Sequence, residues 1–456
     1  MKQSLKISDI LALGFMTFAF FLGAGNIMLP PELGQQAGEN LVPAMFGFLF
    51  TGVGLPLLGI IAVAISGGGW SGLTRDLPAK IAMLIAIAIF IVIGPAYAAP
   101  RAGLVAFDMG VKPYLSAGLQ ASSWSIILFS LIFFGLAMLF AWSRGSMIDM
   151  IGKFLTPALF IALAALAIAV IVNPQGEILA AKGTYVDQAF TNGFVNGYQT
   201  MDAFASLMFG MLIVDVLRKK GITDSTKTCH YLIAAGLIAA AGLAFVYLSL
   251  VYLGATSGNV AQGLTKGTDI LTAYVPALFG SYGLMILSVI VILACFTTVV
   301  GLVSAVSDYF STISPLSYKQ WVVINAVACG IVANVGLTQL MTLSLPVLFA
   351  MYPVAIALIA LTFVRRWLPN PRLAYALVIG VAFAFALFDA LSFFCSTFMA
   401  KDAAINLTLA PIFSAATAYM PLYSYYMAWV LPTAVALLLS FALKRSAGEP
   451  LTPASA

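Results

Sequence analysis

The sequence predicts an all-α polytopic membrane protein with twelve transmembrane helices, and three observations support this fold class. Of the 456 residues, 62% are hydrophobic and only 8% are charged, and the mean hydropathy is +1.05. A soluble globular chain carries roughly 25% charged residues, so water cannot surround most of this surface. In addition, long apolar runs follow one another along the chain, and the basic residues between them are strongly biased to one side.

Twelve apolar runs are candidates for membrane spans, because a helix needs about 20 apolar residues to cross the hydrocarbon core. They cover residues 8–31, 41–66, 79–108, 123–142, 147–172, 190–217, 230–256, 277–311, 318–336, 341–367, 372–396 and 422–444. Three polar stretches between them, 174–189, 257–276 and 397–421, are predicted to be loops. Residues 446–456 are small and polar, and we expect a disordered tail there.

The basic residues predict how the chain is oriented. With a cytoplasmic N-terminus, one side collects sixteen of them: Lys2, Lys6, Arg75, Lys80, Arg144, Lys153, Arg218, Lys219, Lys220, Lys227, Lys319, Arg365, Arg366, Arg372, Lys444 and Arg445. The other side has only Lys112, Lys182, Lys266 and Lys401. Cytoplasmic loops carry an excess of Lys and Arg. We therefore predict a multi-pass protein of the bacterial inner membrane with both termini in the cytoplasm.

The sequence contains no motif for catalysis, metal binding or nucleic-acid binding. The four cysteines lack the spacing of a metal pair, and the only histidine, His230, lies in a polar stretch. There is no nucleophile motif or phosphate loop, and the basic residues are scattered singly. A channel would need a repeated filter motif, which is also missing. We expect no enzyme, no cofactor and no nucleic-acid partner.

The first span contains a segment that should interrupt the helix. Residues 23–26 (Gly-Ala-Gly-Asn) place two glycines and an amide at mid-membrane, and Pro30 and Pro31 follow a turn later. Each glycine weakens a helix by about 1 kcal/mol, and backbone groups freed by a break cannot face lipid. We interpret the segment as a functional break. A small-residue contact between helices is the alternative.

A second interrupted segment lies five spans later. The sixth run contains two Asn-Gly pairs, then Thr200, Asp202 and Ser206. A carboxylate within a span is costly and marks a functional site by default, although Asp202 at a helix start near the outer interface is the alternative. Interrupted segments at corresponding positions of two five-span halves indicate an inverted-repeat transporter with a site near the bilayer midplane.

This pattern predicts one transmembrane domain over residues 1–445. Its first repeat covers about 8–172 and its second about 190–367. Two additional helices follow at 372–396 and 422–444.

The third span carries two prolines and an arginine. Pro95 and Pro100 should kink the helix and open its backbone. Arg101 falls in the outer half of the bilayer, where it is a candidate for an extracellular gate or for pairing with Glu32. Snorkelling of its side chain to the interface is the alternative.

The eighth span contains adjacent hydroxyls at Thr297 and Thr298. Hydroxyl oxygens at one depth suit a hard cation such as Na⁺, by extension of the calcium and magnesium case. The alternative is that each hydroxyl bonds a carbonyl of its own helix, as is common in membrane helices.

In these segments the sequence resembles the bacterial branched-chain amino acid:cation symporter family. The likeness rests on Phe-Leu-Gly-Ala-Gly-Asn at 21–26 with Pro-Pro at 30–31, Ser-Gly-Gly-Gly at 66–69, Gly-Pro at 94–95 through Pro-Arg at 100–101, Gly-Tyr at 197–198 with Thr-Met-Asp-Ala at 200–203, and Phe-Thr-Thr at 296–298 with Gly-Leu at 301–302. It runs in matching order from the first span through at least the eighth. The resemblance implies sodium-driven uptake of leucine, isoleucine and valine on a five-plus-five inverted-repeat fold similar to the LeuT type.

The resemblance also implies which residues form the site. The substrate carboxylate would meet the N–H groups of Ala24 and Gly25 at the break in the first span. The other candidates for substrate binding are Asn26, Tyr97, Asp202, Ser206 and Phe209. The sodium ligands would be Ala19, Leu22, Ala294, Thr297 and Thr298. The expected partners are therefore an amino acid, Na⁺ and the lipid bilayer, with no obligatory protein partner.

Proton-coupled carriage of another small neutral amino acid is the main alternative. Proton relays need titratable residues inside the spans. The run from Leu155 to Val172 has none, and the eighth span has none before Asp308. Sodium is therefore favoured, and Asp202 is the residue that would overturn this preference.

Overall fold

The computed structural model describes residues 4–143, 151, 153, 155–399, 404–420 and 422–444. All regular secondary structure in these residues is helical, which confirms the prediction of an all-α protein. The predicted disordered tail, 446–456, and residues 147–150 of the fifth predicted span lie outside the described residues.

The α-helices of the described residues are numbered here in chain order. They are α1 Ile7–Phe21, α2 Ala24–Ala37, α3 Leu41–Leu49, α4 Leu55–Ile65, α5 Trp70–Leu73, α6 Ala79–Ile91, α7 Ala98–Gly110, α8 Ala117–Gln120, α9 Ser123–Ala141, α10 Thr156–Val172, α11 Tyr185–Tyr198, α12 Asp202–Lys219, α13 Ser225–Ala255, α14 Gly267–Phe279, α15 Gly283–Ile313, α16 Tyr318–Val332, α17 Leu337–Val364, α18 Pro371–Phe398, α19 Ala404–Tyr419 and α20 Val430–Ser440. A π-helical turn at Phe50–Gly54 joins α3 to α4, and another at Val92–Ala96 follows α6.

In the described part of the chain, eight helical stretches are long and apolar enough to cross a membrane. They are Ala24–Ile65, Ala79–Tyr114, Ser123–Ala141, Tyr185–Lys219, Ser225–Ala255, Gly283–Ile313, Leu337–Trp367 and Pro371–Phe398. Three shorter apolar helices are α1, α10 and α20. The protein is thus a polytopic membrane protein, and the count of twelve spans stays a prediction.

Two predicted loops contain helices instead. The stretch 257–276 includes most of α14, and 397–421 includes α19. The prediction was wrong because α14 is only 13 residues long and begins with a polar turn, so it gives no signal of a span. Its apolar side buries Ile270, Leu271 and Tyr274, and the helix packs against α2 and α15.

The described residues group into two compact units. In the first, residues 1–69 and 89–344, α13 packs against α1 and α2, and α15 packs against α1 and α7. In the second, residues 70–88 and 345–456, the Arg365 guanidinium donates to both carboxylate oxygens of buried Asp76, at 2.6 and 3.2 Å. The prediction of one domain over 1–445 stays a prediction.

Three helices of the first unit are interrupted where the sequence predicted a break or a kink. Between α1 and α2 the chain leaves helical geometry at Leu22 and Gly23. Between α11 and α12, Met201 adopts a left-handed conformation with φ +69°. After α6, Gly94 is non-helical within the π turn, and α7 begins at Ala98.

Candidate functional site

The three interruptions and α15 surround one small cavity in the first unit. Its lining residues are Phe20, Phe21, Gly23, Ala24, Asn26, Ile93, Ala98, Arg101, Ala102, Thr200, Met201, Asp202, Ala205, Phe209, Thr298 and Leu302. The cavity volume is about 30 Å³, room for roughly two water molecules. Side chains must therefore move before a whole amino acid fits there.

The first turn of α2 faces this cavity. Gly23 is extended and precedes the helix, and its N–H donates to Asn26 Oδ1 at 3.2 Å. The N–H groups of a first turn have no partner within their own helix, and the N-terminus carries partial positive charge that favours an anion. Ala24 and Asn26 line the cavity, so a carboxylate placed there meets this charge.

The break at Gly23 also frees a carbonyl group of α1. In a continuous helix the Gly23 N–H would bond the Ala19 carbonyl four residues earlier, but here it donates to the Phe21 carbonyl at 2.7 Å. The Ala19 carbonyl accepts instead from the hydroxyls of Thr297 at 3.2 Å and Thr298 at 3.1 Å. The Thr297 hydroxyl also lies 3.0 Å from the Ala294 carbonyl oxygen.

Four of the five predicted sodium ligands are thus brought together. Two carbonyl oxygens and two hydroxyl oxygens from α1 and α15 converge, all buried and all uncharged. The fifth, Leu22, is fully buried at the break itself. The hydroxyls do not bond only within their own helix, which was the alternative for this pair.

Asp202 is the first residue of α12 and is 3% exposed. Its Oδ2 accepts from Asn26 Nδ2 at 2.5 Å and from the Tyr247 hydroxyl at 2.9 Å. Asn26 Nδ2 also donates to the Tyr247 hydroxyl, so the three side chains form a closed ring of hydrogen bonds. The ring joins the breaks of the first and sixth predicted spans through α13.

Arg101 in α7 is buried, with 4% of its surface exposed. Its Nη1 donates to the Tyr97 hydroxyl at 3.2 Å and to the Gln199 carbonyl at 3.1 Å, and its Nη2 donates to the Thr200 carbonyl at 3.4 Å. The guanidinium therefore binds carbonyls at the break after α11. It neither extends to a membrane surface nor takes the proposed partner Glu32, whose Oε1 accepts from Gln36.

The remaining predicted substrate residues occupy different positions. Phe209 lines the cavity and packs against Phe20 and Phe21, with ring centroids 5.2 and 5.4 Å apart. Tyr97 does not line the cavity, and its hydroxyl accepts from Arg101 Nη1, which does. Ser206 is fully buried and donates to the Ala203 carbonyl of its own helix at 2.6 Å, and it does not line the cavity.

Gly25 lies directly under Arg101. A Cβ atom at Gly25 would come within 2.8 Å of Arg101 Nη2 and 3.4 Å of the Thr200 Cα. Gly25 does not line the cavity itself, and any side chain at this position would displace the guanidinium from the first turn of α2.

Sequence reasoning missed Tyr247 and Gln199. Tyr247 is fully buried in α13, in a mostly apolar stretch that also contains Ser249 and Tyr252. A tyrosine in a membrane span is a sequence signal, but it does not indicate which side chains the hydroxyl will bond. Gln199 contributes only its carbonyl group, which no side-chain pattern reveals.

The described residues contain no group of three or more His, Cys, Asp or Glu placed to hold a metal ion. The oxygens around Ala19 are neutral, so they suit a monovalent ion more than a divalent metal that needs carboxylates. All four cysteines are free thiols.

Comparisons with known proteins agree with this architecture. The model of the family described as branched-chain amino acid transport protein matches residues 6–447. The branched-chain amino acid transport system 2 carrier protein of Pseudomonas aeruginosa is 42% identical over 447 residues, which cover 98% of each chain. The branched-chain amino acid permease BrnQ of Escherichia coli is 38% identical over 452 residues, which cover 99% of each chain.

A solved structure has a similar fold at low sequence identity. The crystal structure of MhsT in complex with L-phenylalanine superposes with a TM-score of 0.60 and 17% identity, covering 87% of this chain and 99% of that one. This likeness confirms the predicted LeuT type of fold.

Proposed function

The chain belongs to the family of branched-chain amino acid transport proteins, and from this premise we propose that it takes up leucine, isoleucine and valine together with Na⁺ by alternating access. It is a membrane transport protein and not an enzyme. Na⁺ is the coupling ion of the proposal, and the proposal needs no cofactor. The membrane is the bacterial inner membrane, with both termini cytoplasmic, as the bias of basic residues supports.

The observation that carries the proposal is the cluster of oxygens at Ala19. A carbonyl released by a helix break meets two adjacent hydroxyls from α15, at 3.2 and 3.1 Å. Because α1 ends there, its last carbonyls carry partial negative charge, which favours a cation. In the proposal, Na⁺ binds the Ala19, Leu22 and Ala294 carbonyls and the hydroxyls of Thr297 and Thr298.

The amino acid occupies the neighbouring cavity. Its carboxylate binds the N–H groups of Ala24 and Gly25, and its side chain contacts apolar residues such as Phe20, Phe209 and Leu302. Apolar walls suit a neutral aliphatic side chain. A methylene group in such a pocket is worth about 1–3 kcal/mol, so discrimination among leucine, isoleucine and valine is shallow.

A proton-coupled carrier of another small neutral amino acid is the second candidate. Asp202 favours it, because a buried carboxylate beside the cavity is the type of group that a proton relay uses.

Uptake by the purified protein in proteoliposomes distinguishes the two. Labelled leucine is added with an inward Na⁺ gradient, with an equal K⁺ gradient, or with a pH gradient, at the same membrane potential. We expect accumulation only with Na⁺, competition by isoleucine and valine, and none in vesicles without protein. Accumulation that follows the pH gradient and ignores Na⁺ would support the proton-coupled candidate.

A further inference from the structure

Within the described residues, no cationic group forms a direct ion pair with the Asp202 carboxylate, and the Arg101 guanidinium acts on it only through space. Arg101 lines the same cavity, but its hydrogen bonds go to Tyr97, Gln199 and Thr200. The hydrogen-bonding side chains around Asp202 in the described residues are the neutral ones of Asn26, Tyr247 and Thr200. A buried carboxylate is costly unless it is paired, so this cavity favours a ligand that brings a positive charge.

The groups around Asp202 fit an ammonium group better than a metal ion. Na⁺ needs several converging oxygen ligands. Asn26, however, presents its N–H₂ group to Asp202, and its Oδ1 is occupied by the Gly23 N–H at 3.2 Å. The Tyr247 hydroxyl also points its hydrogen at the carboxylate. The Asp202 carboxylate is therefore surrounded by hydrogen-bond donors. It can offer an ammonium group a negative charge and a hydrogen-bond acceptor, but the site lacks the several oxygen ligands that Na⁺ needs.

The order of these groups along α2 also fits an α-amino acid. Asn26, which bonds Asp202, is the third residue of α2, and Ala24 and Gly25 provide the N–H groups proposed for the carboxylate. The anion-binding and cation-binding groups therefore lie within one helical turn. In an α-amino acid the carboxylate and the ammonium are separated by a single carbon atom.

We propose that the Asp202 carboxylate binds the α-ammonium group of the transported amino acid, held in position by Asn26 and Tyr247. This inference rests on the proposed function, since it assigns one end of that same substrate. Asp202 thereby restricts the cargo to molecules with an α-amino group. Branched aliphatic acids that lack the amine are excluded by charge rather than by shape.

A comparison of two ligands tests the inference. Leucine and 4-methylpentanoate have the same carboxylate and the same branched side chain, but the second lacks the amine. Binding to the full-length protein is measured at saturating Na⁺ from the ligand-dependent shift of the thermal unfolding midpoint, which also reports weak ligands. We expect wild type to prefer leucine by roughly 10–100-fold, since hydrogen bonds to charged groups contribute about 1.5–3 kcal/mol. Asp202→Asn should reduce this preference to about threefold or less.

Two controls make the result specific. Asp389→Asn removes another buried carboxylate, one that accepts from the Ala428 N–H in the second unit, and should leave the preference unchanged. Tyr247→Phe removes one donor but keeps the charge, so most of the preference should remain. If Asp202→Asn does not fold, Asp202→Glu displaces the charge instead and should lower the preference at least threefold.

The outcomes separate this inference from the proposed function. If wild type binds no leucine, the proposed function fails. If wild type binds leucine but Asp202→Asn keeps its full preference over 4-methylpentanoate, only the ammonium site is overturned. If Asp202→Asn weakens the binding of both ligands equally, Asp202 has a positioning role and the ammonium site is overturned. If the variant loses its Na⁺ dependence but keeps the preference, Asp202 has a role in ion coupling and the ammonium site is also overturned.

Discussion

The Thr298 hydroxyl donates to the Ala19 carbonyl oxygen at 3.1 Å, across 279 positions of sequence. This contact exists because α1 stops at Phe21 and Gly23 turns its N–H to the Phe21 carbonyl, away from Ala19. The same break that ends α1 begins α2, whose first turn lines the cavity. One interruption thus supplies an acceptor for a cation and donors for an anion a few residues apart.

Gly25→Leu should abolish leucine binding in a protein that still folds. The new Cβ would come within 2.8 Å of Arg101 Nη2, the far end of a flexible side chain that can shift. We therefore expect the fold to tolerate the substitution, while the leucine side chain and the displaced guanidinium fill the site. Gly25→Ala should lower the affinity for leucine about tenfold. Leucine binding and the yield of monodisperse protein are measured together.

The matched control is Gly380→Leu, because a Cβ at this exposed glycine of α18 meets nothing within 4 Å. It should bind leucine normally. Normal leucine uptake by Gly25→Leu would rule out the first turn of α2 as the substrate site, and failure of that variant to fold would favour a structural glycine.

Gly23→Ala should affect the sodium ion more than the amino acid. A Cβ at Gly23 comes within 3.1 Å of Thr298 Cγ2 and 3.3 Å of its hydroxyl oxygen. Displacing that hydroxyl should raise the Na⁺ concentration for half-maximal uptake severalfold. Leucine affinity at saturating Na⁺ should change little. A large loss of leucine affinity with an unchanged Na⁺ dependence would show that Gly23 does not support the sodium site.

Arg101→Lys and Arg101→Ala should weaken leucine about tenfold without unfolding the protein. The guanidinium lines the cavity and donates to the Gln199 and Thr200 carbonyls at the break after α11, so its removal should disturb the wall of the substrate site. Hydrogen bonds to charged groups contribute about 1.5–3 kcal/mol. Lysine keeps the charge but cannot reach both carbonyls. Arg75→Ala, at an exposed position, serves as the control. Unfolding of both Arg101 variants, with Arg75→Ala intact, would mean that Arg101 is structural.

Asp76→Asn should lower stability and leave leucine affinity unchanged. Asp76 is buried and accepts two hydrogen bonds from Arg365, whose side chain is partly exposed and therefore partly screened. The expected loss is about 1–2 kcal/mol, seen as a lower midpoint of thermal unfolding. The exposed pair of Asp215 and Arg218 is 3.5 Å apart, and Asp215→Asn should shift the midpoint by much less. Equal shifts would contradict the difference in burial.

Local sequence signals located the breaks but not their partners. Two glycines beside Asn26 and the polar run before Asp202 are visible because such residues weaken a membrane helix wherever they stand. Neither pattern indicates that Asn26 and Asp202 bond each other, or that Tyr247 joins them. Those contacts join helices far apart in sequence, and they depend on the packing of α13 against both α2 and α12.

The candidate sodium ligands were predicted from the resemblance to a family, and the residues alone were not sufficient to predict them. From the residues alone, the two threonines fitted an ion site or bonds within their own helix equally well. The break at Gly23 favours the proposed ion site, because it releases the Ala19 carbonyl, which accepts from the Thr298 hydroxyl of another helix. Ser206 shows the reverse case, since its hydroxyl bonds its own helix at 2.6 Å.

The Na⁺ dependence of leucine binding in Thr298→Val is the sharpest test of the proposed sodium site. Valine has nearly the volume of threonine but no hydroxyl, so one oxygen ligand is lost. We expect the half-saturating Na⁺ concentration to rise about tenfold or more, while saturating Na⁺ restores most of the leucine affinity, as linkage requires. Thr17→Val, which removes a buried hydroxyl bonded only to the Leu13 carbonyl of its own helix, should behave as wild type. An unchanged Na⁺ dependence in folded Thr297→Val and Thr298→Val would contradict the account, and Asp202 would become the first candidate for the coupling site.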